Sequence, residues 1–419
     1  MRQNERLLAK KQLALQAAQV DLRAEVRLDD AIRPLGEVTP KYERAFVTGG
    51  TGFLGAFLID RLLAQGVQVI SLVRAKDAHH ARERQRAALA SYGLWKEEEA
   101  AALEVVVGEL GRPRLGLDAE DYLRLAREVD VIFHVGAVVN LVFPYQLLKP
   151  ANVGGTVEIL RLATTGRAKW LHHVSTNGFF LTPGYAGRAV PEHDPAVDTR
   201  GLAYGYLQSK WVAEQIVLLA RERGVPVSLY RPTFIGWDSR TGAFNNKDFM
   251  CALIDGCLAL GRAPELDLLV EVAAVDYVAS AIVQLSSDAR SLGKAFNVGN
   301  PQRVPWREVV DLLRGEGWPL HVEPYASWRD ALDRARDNPA YGFHSMLPDV
   351  GDDSGQTVAD ALSNERFPRL GFAQIEAALA GTGITCPPLD PKLLAPHLAL
   401  LARNAAPRTD ASFAQWAPR

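Results

Sequence analysis

The chain has 419 residues, of which 48% are hydrophobic, enough to bury a sizeable core in one large or two unequal domains. A formal net charge of -2 argues against a nucleic-acid partner. There is no apolar run of about 18 residues that could span a membrane, and no apolar signal-peptide centre, so we expect a cytoplasmic protein without a membrane partner. The three cysteines, Cys251, Cys257 and Cys386, lack metal-binding or redox spacing and are expected to be reduced, with no metal site.

The first segment of the chain is polar and uninterrupted. Residues 1–35 are rich in Gln, Arg and Ala and contain no Gly or Pro before Pro34. This composition predicts a helical N-terminal extension, to which we assign residues 1–40.

The stretch AFVTGGTGFLGAFLIDRLLAQG, residues 45–66, places a glycine-rich turn between two apolar elements. Periodicity predicts a buried strand over 45–47 and a helix over 56–63. Gly49, Gly52 and Gly55 form a G-x-x-G-x-x-G variant of the dinucleotide fingerprint, in which glycines permit a tight turn and close approach of a pyrophosphate. The pyrophosphate would bind at the positive N-terminus of the helix. Such a turn can also be purely structural, but the flanking strand and helix favour a nucleotide site.

A second apolar strand, VQVISLVRA (67–75), ends on Arg74. At this position of a Rossmann unit an acidic residue binds the ribose hydroxyl of NAD, whereas an arginine accommodates the 2′-phosphate of NADP. No Asp or Glu occurs before Asp77, and Arg82 or Arg84 on the following helix could add a second guanidinium, although a solvated helix face also accounts for Arg82. The pattern therefore favours NADP(H) over NAD(H).

Further strands alternate with helices up to about residue 236. They are predicted at 102–110, 129–139, 169–176 and 226–236. This alternation predicts an α/β fold with a Rossmann-type doubly wound parallel sheet. We divide the chain into the N-terminal extension (1–40), an NADP-binding domain (41–240) and a smaller, mainly helical substrate-binding region (241–419), with sheet-completing segments near 270–300.

The candidate catalytic residues lie in two stretches, STNGFF (175–180) and YGYLQSKWVAEQ (204–215). Tyr206 and Lys210 are four residues apart in a helical pattern, so they share a face. The ammonium is expected to favour the phenolate and to lower the pKa of Tyr206, which suits proton exchange with a carbonyl oxygen. Thr176 or Ser175, at the end of a strand, could hydrogen-bond the same oxygen. Tyr204, two residues earlier, is a second phenol that could be mistaken for the catalytic one.

At these residues the chain resembles the extended short-chain dehydrogenase/reductase superfamily, over roughly residues 42–300. The shared motifs are TGGTGFLG, VDVIFHVGAVVN, NVGGT, VST, YGYLQSKWVAE, RPTFIG, VDYVA and FNVGNP. Within it, SLVRA, HVGAVVNLVFPYQLLKPANVGGT and the insert GWDSRTGAFNNKDFMCALIDGCLALGRAPEL are most similar to the thioester reductase domains of nonribosomal peptide and polyketide synthases and carboxylic acid reductases. Two departures are Gly136, where the family more often has Ala, and GEL at 108–110 in place of Gly-Asp-Leu, which leaves the role of Glu109 open.

The resemblance implies the catalytic trio Thr176, Tyr206 and Lys210, with Thr176 rather than Ser175 in the family position. Tyr206 and Thr176 would hold the developing oxyanion, and Lys210 would bind the nicotinamide ribose. Together with the fingerprint, it predicts NADPH contacts from Thr48, Gly49, Thr51, Gly52, Phe53, Leu54, Gly55, Arg74, Arg84, Glu109, Leu110, Val135, Gly136, Ala137, Asn152, Tyr206, Lys210, Pro232, Thr233 and Ile235.

The implied reaction is NADPH-dependent reduction of a carrier-bound acyl or peptidyl thioester to an aldehyde, with a second reduction to the alcohol left open. The implied partner is an acyl or peptidyl carrier protein bearing a phosphopantetheine arm, upstream of a monomeric reductase. DLRAEVRLDDAIRP is similar to the linker from such a carrier, and Arg23, Arg27 and Arg33 are a candidate docking surface.

Three alternatives remain open from the sequence. A sugar-nucleotide epimerase or dehydratase shares the fold and trio but normally carries an acidic residue where this chain has Arg74. A stand-alone acyl-CoA reductase would need no carrier. A non-catalytic NADPH-binding protein would not need the Tyr206–Lys210 pair. The acyl group itself would lie over residues 240–390, and its identity is also open.

Overall fold

The computed structural model describes residues 20–245, 248–347, 363 and 366–404. The strands, in chain order, are β1 (Arg44–Thr48), β2 (Gln68–Val73), β3 (Leu103–Val107), β4 (Val131–His134), β5 (Trp170–Val174), β6 (Ala189–Val190), β7 (Val227–Pro232), β8 (Phe234–Ile235), β9 (Arg262–Pro264), β10 (Leu269–Val270), β11 (Val272–Ala273), β12 (Ala295–Val298), β13 (Val304–Pro305), β14 (His321–Glu323) and β15 (Arg369–Leu370).

The α-helices of the described part are α1 (Leu22–Glu25), α2 (Phe53–Ala64), α3 (Ala78–Ser91), α4 (Ala119–Glu128), α5 (Tyr145–Lys149), α6 (Gly155–Ala163), α7 (Gly205–Glu222), α8 (Phe249–Leu260), α9 (Val275–Ser286), α10 (Trp306–Gly315), α11 (Tyr325–Arg334), α12 (Ala373–Leu379) and α13 (Pro391–Asn404). A π-helical turn over Pro150–Gly154 joins α5 to α6.

The central sheet has seven strands in the order β12-β7-β5-β4-β1-β2-β3, and all of its pairs are parallel. The strand order reverses between β1 and β4, which makes this pair the topological switch point. In open parallel sheets, ligands bind at the carboxyl edge beside such a point. The predicted doubly wound α/β fold is confirmed.

The apolar residues of the sheet separate into two clusters, one on each face. On one face, α2 and α9 cover the sheet, and the helices that follow residue 248 extend the same cluster. On the other face, α4, α6 and α7 pack over the strands. Because both faces are covered, the central strands are apolar throughout, which is the pattern that made them recognisable in the sequence.

The six strands predicted before residue 236 are all present, and most are shorter than predicted. The largest excess lies at the carboxyl end of β4, which ends at His134 although apolar sequence continues to Val139, and β5 ends at Val174, two residues before the predicted end. The seventh strand, β12, lies in the segment expected to complete the sheet. The division near residue 240 stays a prediction.

The predicted N-terminal helix is wrong for residues 26–35. Within the described residues before β1, helix is confined to α1. Leu28 and Ile32 are instead buried in the core beside α7. Arg223 donates to the carbonyls of Leu28 and Asp29, so tertiary contacts hold this segment in an irregular path with a turn at Asp30 and override its helical composition. Residues 1–19 lie outside the described residues.

Among the described residues, no helix is both long and apolar enough to cross a membrane. Cys251 and Cys257 are buried as free thiols on α8, and Cys386 is a partly buried free thiol. Burial raises the pKa of each of these thiols. The cysteines are therefore held in the unreactive thiol form.

His172 lies at the centre of the sheet, on the face that α2 and α9 cover. Its ring stacks on Phe133 at a centroid distance of 5.0 Å and lies 4.8 Å from Trp170. Its Nδ1 is 2.9 Å from the hydroxyl of Tyr230. Burial lowers the pKa of His172 to about 3, so the folded chain keeps this ring neutral.

Replacement of His172 by Phe should reduce the loss of stability in acid. An unfolded histidine titrates near pH 6.5, so as the pH falls below that value protons bind the unfolded chain and not the folded one, and folding weakens. Between about pH 7.5 and 5.5 the wild type should lose about 1.4 kcal/mol more than His172→Phe. Urea unfolding at both pH values measures this difference; an equal change in the two proteins would contradict a neutral, buried His172.

Candidate active site

The glycine turn between β1 and α2 lies at the switch point of the sheet. Gly49 has a φ of +77°, in the left-handed region that favours glycine. A Cβ on Gly49 would lie 2.7 Å from backbone atoms of Gly136, which follows β4. A Cβ on Gly55 would overlap the carbonyl oxygen of Gly49, so α2 can pack this closely only with glycine at that position.

The N-terminus of α2 is suited to an anionic ligand. Gly52 is its N-cap, and no side chain hydrogen-bonds the first N–H groups of the helix. These donors and the helix dipole favour a negative group. Phe53 and Leu54 in the first turn are nearly buried, while Thr51 is partly exposed. A glycine cradle in front of an uncapped helix end fits the pyrophosphate of a dinucleotide.

Two residues that the sequence analysis missed support this turn. The hydroxyl of Ser71 on β2 donates to Oε1 of Gln85 on α3 at 2.8 Å, and Nε2 of Gln85 donates to the carbonyl of Gly50 at 3.0 Å. Gln85 is 1% exposed and lies between Ala81 and Leu89 on the buried stripe of α3. A polar residue at the centre of an apolar stripe was the signal that could have revealed it.

The end of β2 carries the predicted arginines. Arg74 is exposed, and the guanidinium of Arg84 donates to its carbonyl oxygen, so the two residues lie together. Asp77 is engaged as the N-cap of α3, accepting from the N–H of His80 at 2.7 Å. That hydrogen bond lowers the pKa of Asp77. The nearest acidic side chain in sequence therefore already has a structural partner.

The residues after β3 approach the glycine turn through Leu110. A Cβ on Gly136 would lie 2.9 Å from Cδ1 of Leu110, and a Cβ on Gly155 would lie 2.9 Å from its Cβ. This packing leaves little room for a Cβ at position 136. Glu109 forms an exposed ion pair with Arg112 at 2.8 Å.

Thr176 lies two residues beyond the end of β5. Its Oγ1 accepts from the N–H of Gly178 at 3.0 Å, which orients the side chain in the loop. Gly178 lies between Thr176 and Leu207 of α7, since a Cβ on Gly178 would be 3.3 Å from Oγ1 of Thr176 and 2.7 Å from Cδ2 of Leu207. Thr176 is partly exposed, whereas Ser175 is 6% exposed.

Tyr206 and Lys210 occupy the first two turns of α7, and the predicted helix is confirmed over Gly205–Glu222. Gly205 is needed at its start, because a Cβ there would lie 2.5 Å from the backbone nitrogen of Tyr145. Lys210 is 4% exposed, and its Nζ donates to the carbonyl of Val174, the last residue of β5, at 2.8 Å. The lysine thus reaches from α7 to the carboxyl edge of the sheet.

The expected lowering of the Tyr206 pKa is wrong for this structure. Burial raises the pKa of Tyr206 to about 12, so desolvation of the phenolate outweighs any attraction by the lysine. Burial also lowers the pKa of Lys210 to about 8, against an opposing effect of Glu214 one turn later. The phenol is therefore protonated at neutral pH.

The end of β7 lies next to the end of β5 at this edge, on the side away from β4. Pro232 and Thr233 are buried and Ile235 is partly exposed on β8. The N–H of Asn177 donates to the carbonyl of Pro232 at 3.1 Å, which joins the Thr176 loop to β7.

The structure brings most of the predicted site residues to the carboxyl edge of the sheet. Arg74 follows β2, Glu109 and Leu110 follow β3, and Val135, Gly136 and Ala137 follow β4, while Arg84 lies on α3 and reaches the end of β2 with its guanidinium. Asn152 is different, because it is 2% exposed and its amide is fully hydrogen-bonded within the protein. Sequence analysis missed the buried polar residues beside it, which are His134, Thr156 and Ser209.

Comparison with known proteins gives a consistent result. A family model described as male sterility protein matches residues 47–282. The chain is 37% identical over 394 residues to a linear gramicidin synthase of Brevibacillus parabrevis, covering 91% of this chain but 8% of that protein. It spans 8% to 37% of the first three curated relatives.

Two solved structures share the fold. The terminal R domain from the myxalamid PKS-NRPS pathway superposes with a TM-score of 0.82 at 36% identity, covering 92% of this chain and 97% of that one. A thiolation-reductase di-domain from an archaeal nonribosomal peptide synthetase superposes with a TM-score of 0.71 at 19% identity, over 92% of this chain and 79% of that one.

Proposed function

Because the chain belongs to the terminal reductase domains of nonribosomal peptide and polyketide synthases, in the NAD-binding extended short-chain dehydrogenase/reductase family, we propose that it uses NADPH to release a carrier-bound acyl or peptidyl thioester as an aldehyde. The observation that carries the proposal is the pair Tyr206 and Lys210 on one face of α7, with Lys210 bonded to the end of β5. The glycine cradle lies at the same sheet edge.

The end of β2 supports NADPH in preference to NADH. The guanidinium of Arg84 is bonded to the backbone carbonyl of Arg74, which brings a second cation to the strand end where a 2′-phosphate would bind. Asp77, the first acidic residue after the strand, caps α3 instead.

Catalysis by this site follows from its electrostatics. A bound nicotinamide dinucleotide supplies a hydride for the carbonyl carbon of the thioester. As negative charge develops on the oxygen, the hydroxyls of Tyr206 and Thr176 donate hydrogen bonds to it. Because burial keeps the Tyr206 pKa at about 12, the phenol carries the proton that this oxygen needs. The ammonium of Lys210 has donors beyond its bond to Val174 and uses them to hold the ribose.

The resulting hemithioacetal breaks its carbon–sulfur bond. As the aldehyde forms, the hydroxyl proton passes to the sulfur, which leaves as the thiol of the carrier arm, and Tyr206 regains a proton from solvent. A second reduction of a retained aldehyde gives the alcohol. We place the acyl chain over the region after residue 240, where α8 and α13 continue the core around Trp237.

We also propose that a carrier protein delivers the substrate on a phosphopantetheine arm. The archaeal di-domain joins a thiolation domain to its reductase domain. In this chain Arg23 and Arg27 are exposed, and their guanidinium groups donate to the carbonyls of Val197 and Ala24. Arg33 lies 3.7 Å from the carboxylate of Asp30, both well exposed. These arginines are our candidate for attracting an acidic carrier.

Tyr206→Phe removes the proton-donating hydroxyl and keeps the ring, so it should lower kcat by about 100-fold or more while NADPH still binds. Tyr204→Phe, which removes a phenol hydroxyl two residues earlier, is the matched control and should change kcat little. NADPH absorbance with an acyl-CoA or acyl-pantetheine thioester measures kcat. The opposite ranking of the two variants would reassign the catalytic phenol, and no turnover by wild type with any thioester would overturn the proposed function.

Arg74→Ala should weaken NADPH binding by about 10- to 150-fold, the effect of losing one or more hydrogen bonds to a charged phosphate. NADH binding should hardly change. Arg82→Ala, which removes an exposed arginine in the first turns of α3, serves as the control. Fluorescence titration with both cofactors gives the dissociation constants, and equal losses for NADPH and NADH would exclude this role for Arg74.

If a carrier docks on the N-terminal arginines, the same acyl group should be reduced with higher kcat/KM on a cognate carrier protein than on coenzyme A. Joint reversal of charge at Arg23, Arg27 and Arg33 should shrink this advantage, and added salt should shrink it too, because screening acts beyond about 8 to 10 Å. Equal, salt-insensitive efficiencies would favour a stand-alone acyl-CoA reductase.

A further inference from the structure

A buried hydrogen-bonded chain begins where β1 meets β4. Thr48 and His134 are the last residues of these strands and are directly opposite each other in the sheet. Oγ1 of Thr48 accepts from the N–H of Gly136 at 3.0 Å and lies 2.8 Å from Nδ1 of His134. The chain thus starts at the glycine contact that forms the nucleotide cradle.

From His134 the chain crosses to the helices. Nε2 of His134 lies 3.1 Å from Oγ1 of Thr156 on α6, and that hydroxyl donates to the carbonyl of Asn152 at 2.7 Å. Nδ2 of Asn152 donates to Oγ of Ser209 at 2.9 Å, and Ser209 donates to the carbonyl of Tyr206 at 2.7 Å. The chain therefore ends in the first turn of α7.

The donors and acceptors along this chain have one consistent assignment. Because the Thr156 hydroxyl donates to Asn152, it can only accept from His134, so Nε2 of His134 carries the proton. Nδ1 then accepts from the Thr48 hydroxyl, which in turn accepts from Gly136. His134 is neutral in this arrangement; burial and the nearby Lys210 lower its pKa to about 3. His173 packs against it at a centroid distance of 5.2 Å, and burial lowers the pKa of that ring as well.

Every side chain in this hydrogen-bonded series is nearly inaccessible to solvent. Exposure is between 0% and 2% for all five members, which are Thr48, His134, Asn152, Thr156 and Ser209. A buried polar network is stabilising only when it is fully satisfied, and each lost link leaves an unpaired group in a medium of low dielectric. The hydrogen-bonded series therefore favours a single relative position of the strands and helices that it joins.

Asn152 lies within the π-helical turn. The N–H of Gly155 bonds to the carbonyl of Pro150, five residues earlier, where the proline interrupts the regular pattern. The Asn152 amide also pairs with both backbone groups of Val138, at 2.7 and 3.1 Å. Its two donors and its acceptor are thus all used within the protein, which leaves no amide hydrogen for the cofactor contact that the resemblance implied.

We infer that Thr48, His134, Thr156, Asn152 and Ser209 are positioning residues that hold the helix bearing Tyr206 and Lys210 in register with the glycine turn. This inference rests on the proposed function for its kinetic consequence. The hydrogen bonds themselves do not depend on the proposed function.

The test replaces the central hydroxyl. Thr156→Val removes it at nearly constant shape, and we expect kcat to fall and the NADPH dissociation constant to rise, each by about fivefold, the effect of one hydrogen bond. Thr156→Ser keeps the hydroxyl and should restore both values. Thr164→Val is the matched control on the same segment, because the Thr164 hydroxyl also donates to the carbonyl four residues earlier, that of Leu160, but lies outside the chain.

Two outcomes overturn the inference. One is kcat and NADPH affinity in Thr156→Val that equal those of wild type. The other is an equal decline in Thr156→Val and Thr164→Val at equal loss of thermal stability, which would show that the hydroxyl is merely structural.

A spectroscopic readout separates this inference from the proposed function. Nitrogen-15 NMR of the ligand-free protein should show Nε2 of His134 protonated and Nδ1 unprotonated, unchanged from about pH 8 to pH 5 because the ring stays neutral. His134→Gln provides the assignment. An Nδ1–H tautomer of His134, or titration of its ring within this pH range, would contradict the proposed hydrogen-bond assignment. If wild type reduces no thioester, the proposed function fails while the NMR signal and NADPH titrations still test the positioning role.

Discussion

The whole site depends on the contact between two backbone turns at the switch point of the sheet. Gly49 after β1 and Gly136 after β4 are so close that a Cβ on Gly49 would lie 2.7 Å from backbone atoms of Gly136, and a Cβ on Gly136 would lie 3.1 Å from the backbone nitrogen of Gly49. Gly55 imposes the same condition on the start of α2. Leu110 packs beside Gly136, and the Thr48 hydroxyl accepts from the N–H of Gly136. The approach of these backbones creates both the anion cradle and the origin of the buried polar chain.

Burial determines the charge states around this contact. The same desolvation that keeps the Tyr206 phenol protonated weakens the hold of Lys210 on its proton. Farther along α7, Glu214 forms a fully buried ion pair with Arg231 of β7 at 2.6 Å. Breaking such a pair would leave an uncompensated charge, so it ties α7 to β7 and defines the position of the helix from its other end.

The C-terminal region is anchored to the edge of the same sheet by one carboxylate. Glu192, 3% exposed, accepts from the N–H groups of Gln374 and Ile375 at the start of α12 and from that of Asn297 on β12. Burial raises the pKa of Glu192 to about 7 despite these bonds. The region proposed to shape the substrate site is therefore attached to the strand next to β7, whose end lies beside Thr176.

The sequence by itself determined the strand, glycine turn and helix around Gly49, the basic end of β2 and the spacing of Tyr206 and Lys210, because each depends on neighbours within a few turns of chain. Only the tertiary structure decided the non-helical path from Leu28 to Ile32 and the direction in which the pKa of Tyr206 is shifted. It also decided the link from Thr48 to His134, which are 86 positions apart in sequence. Burial and long-range hydrogen bonding depend on which strands become neighbours, and local periodicity carries no information about that order.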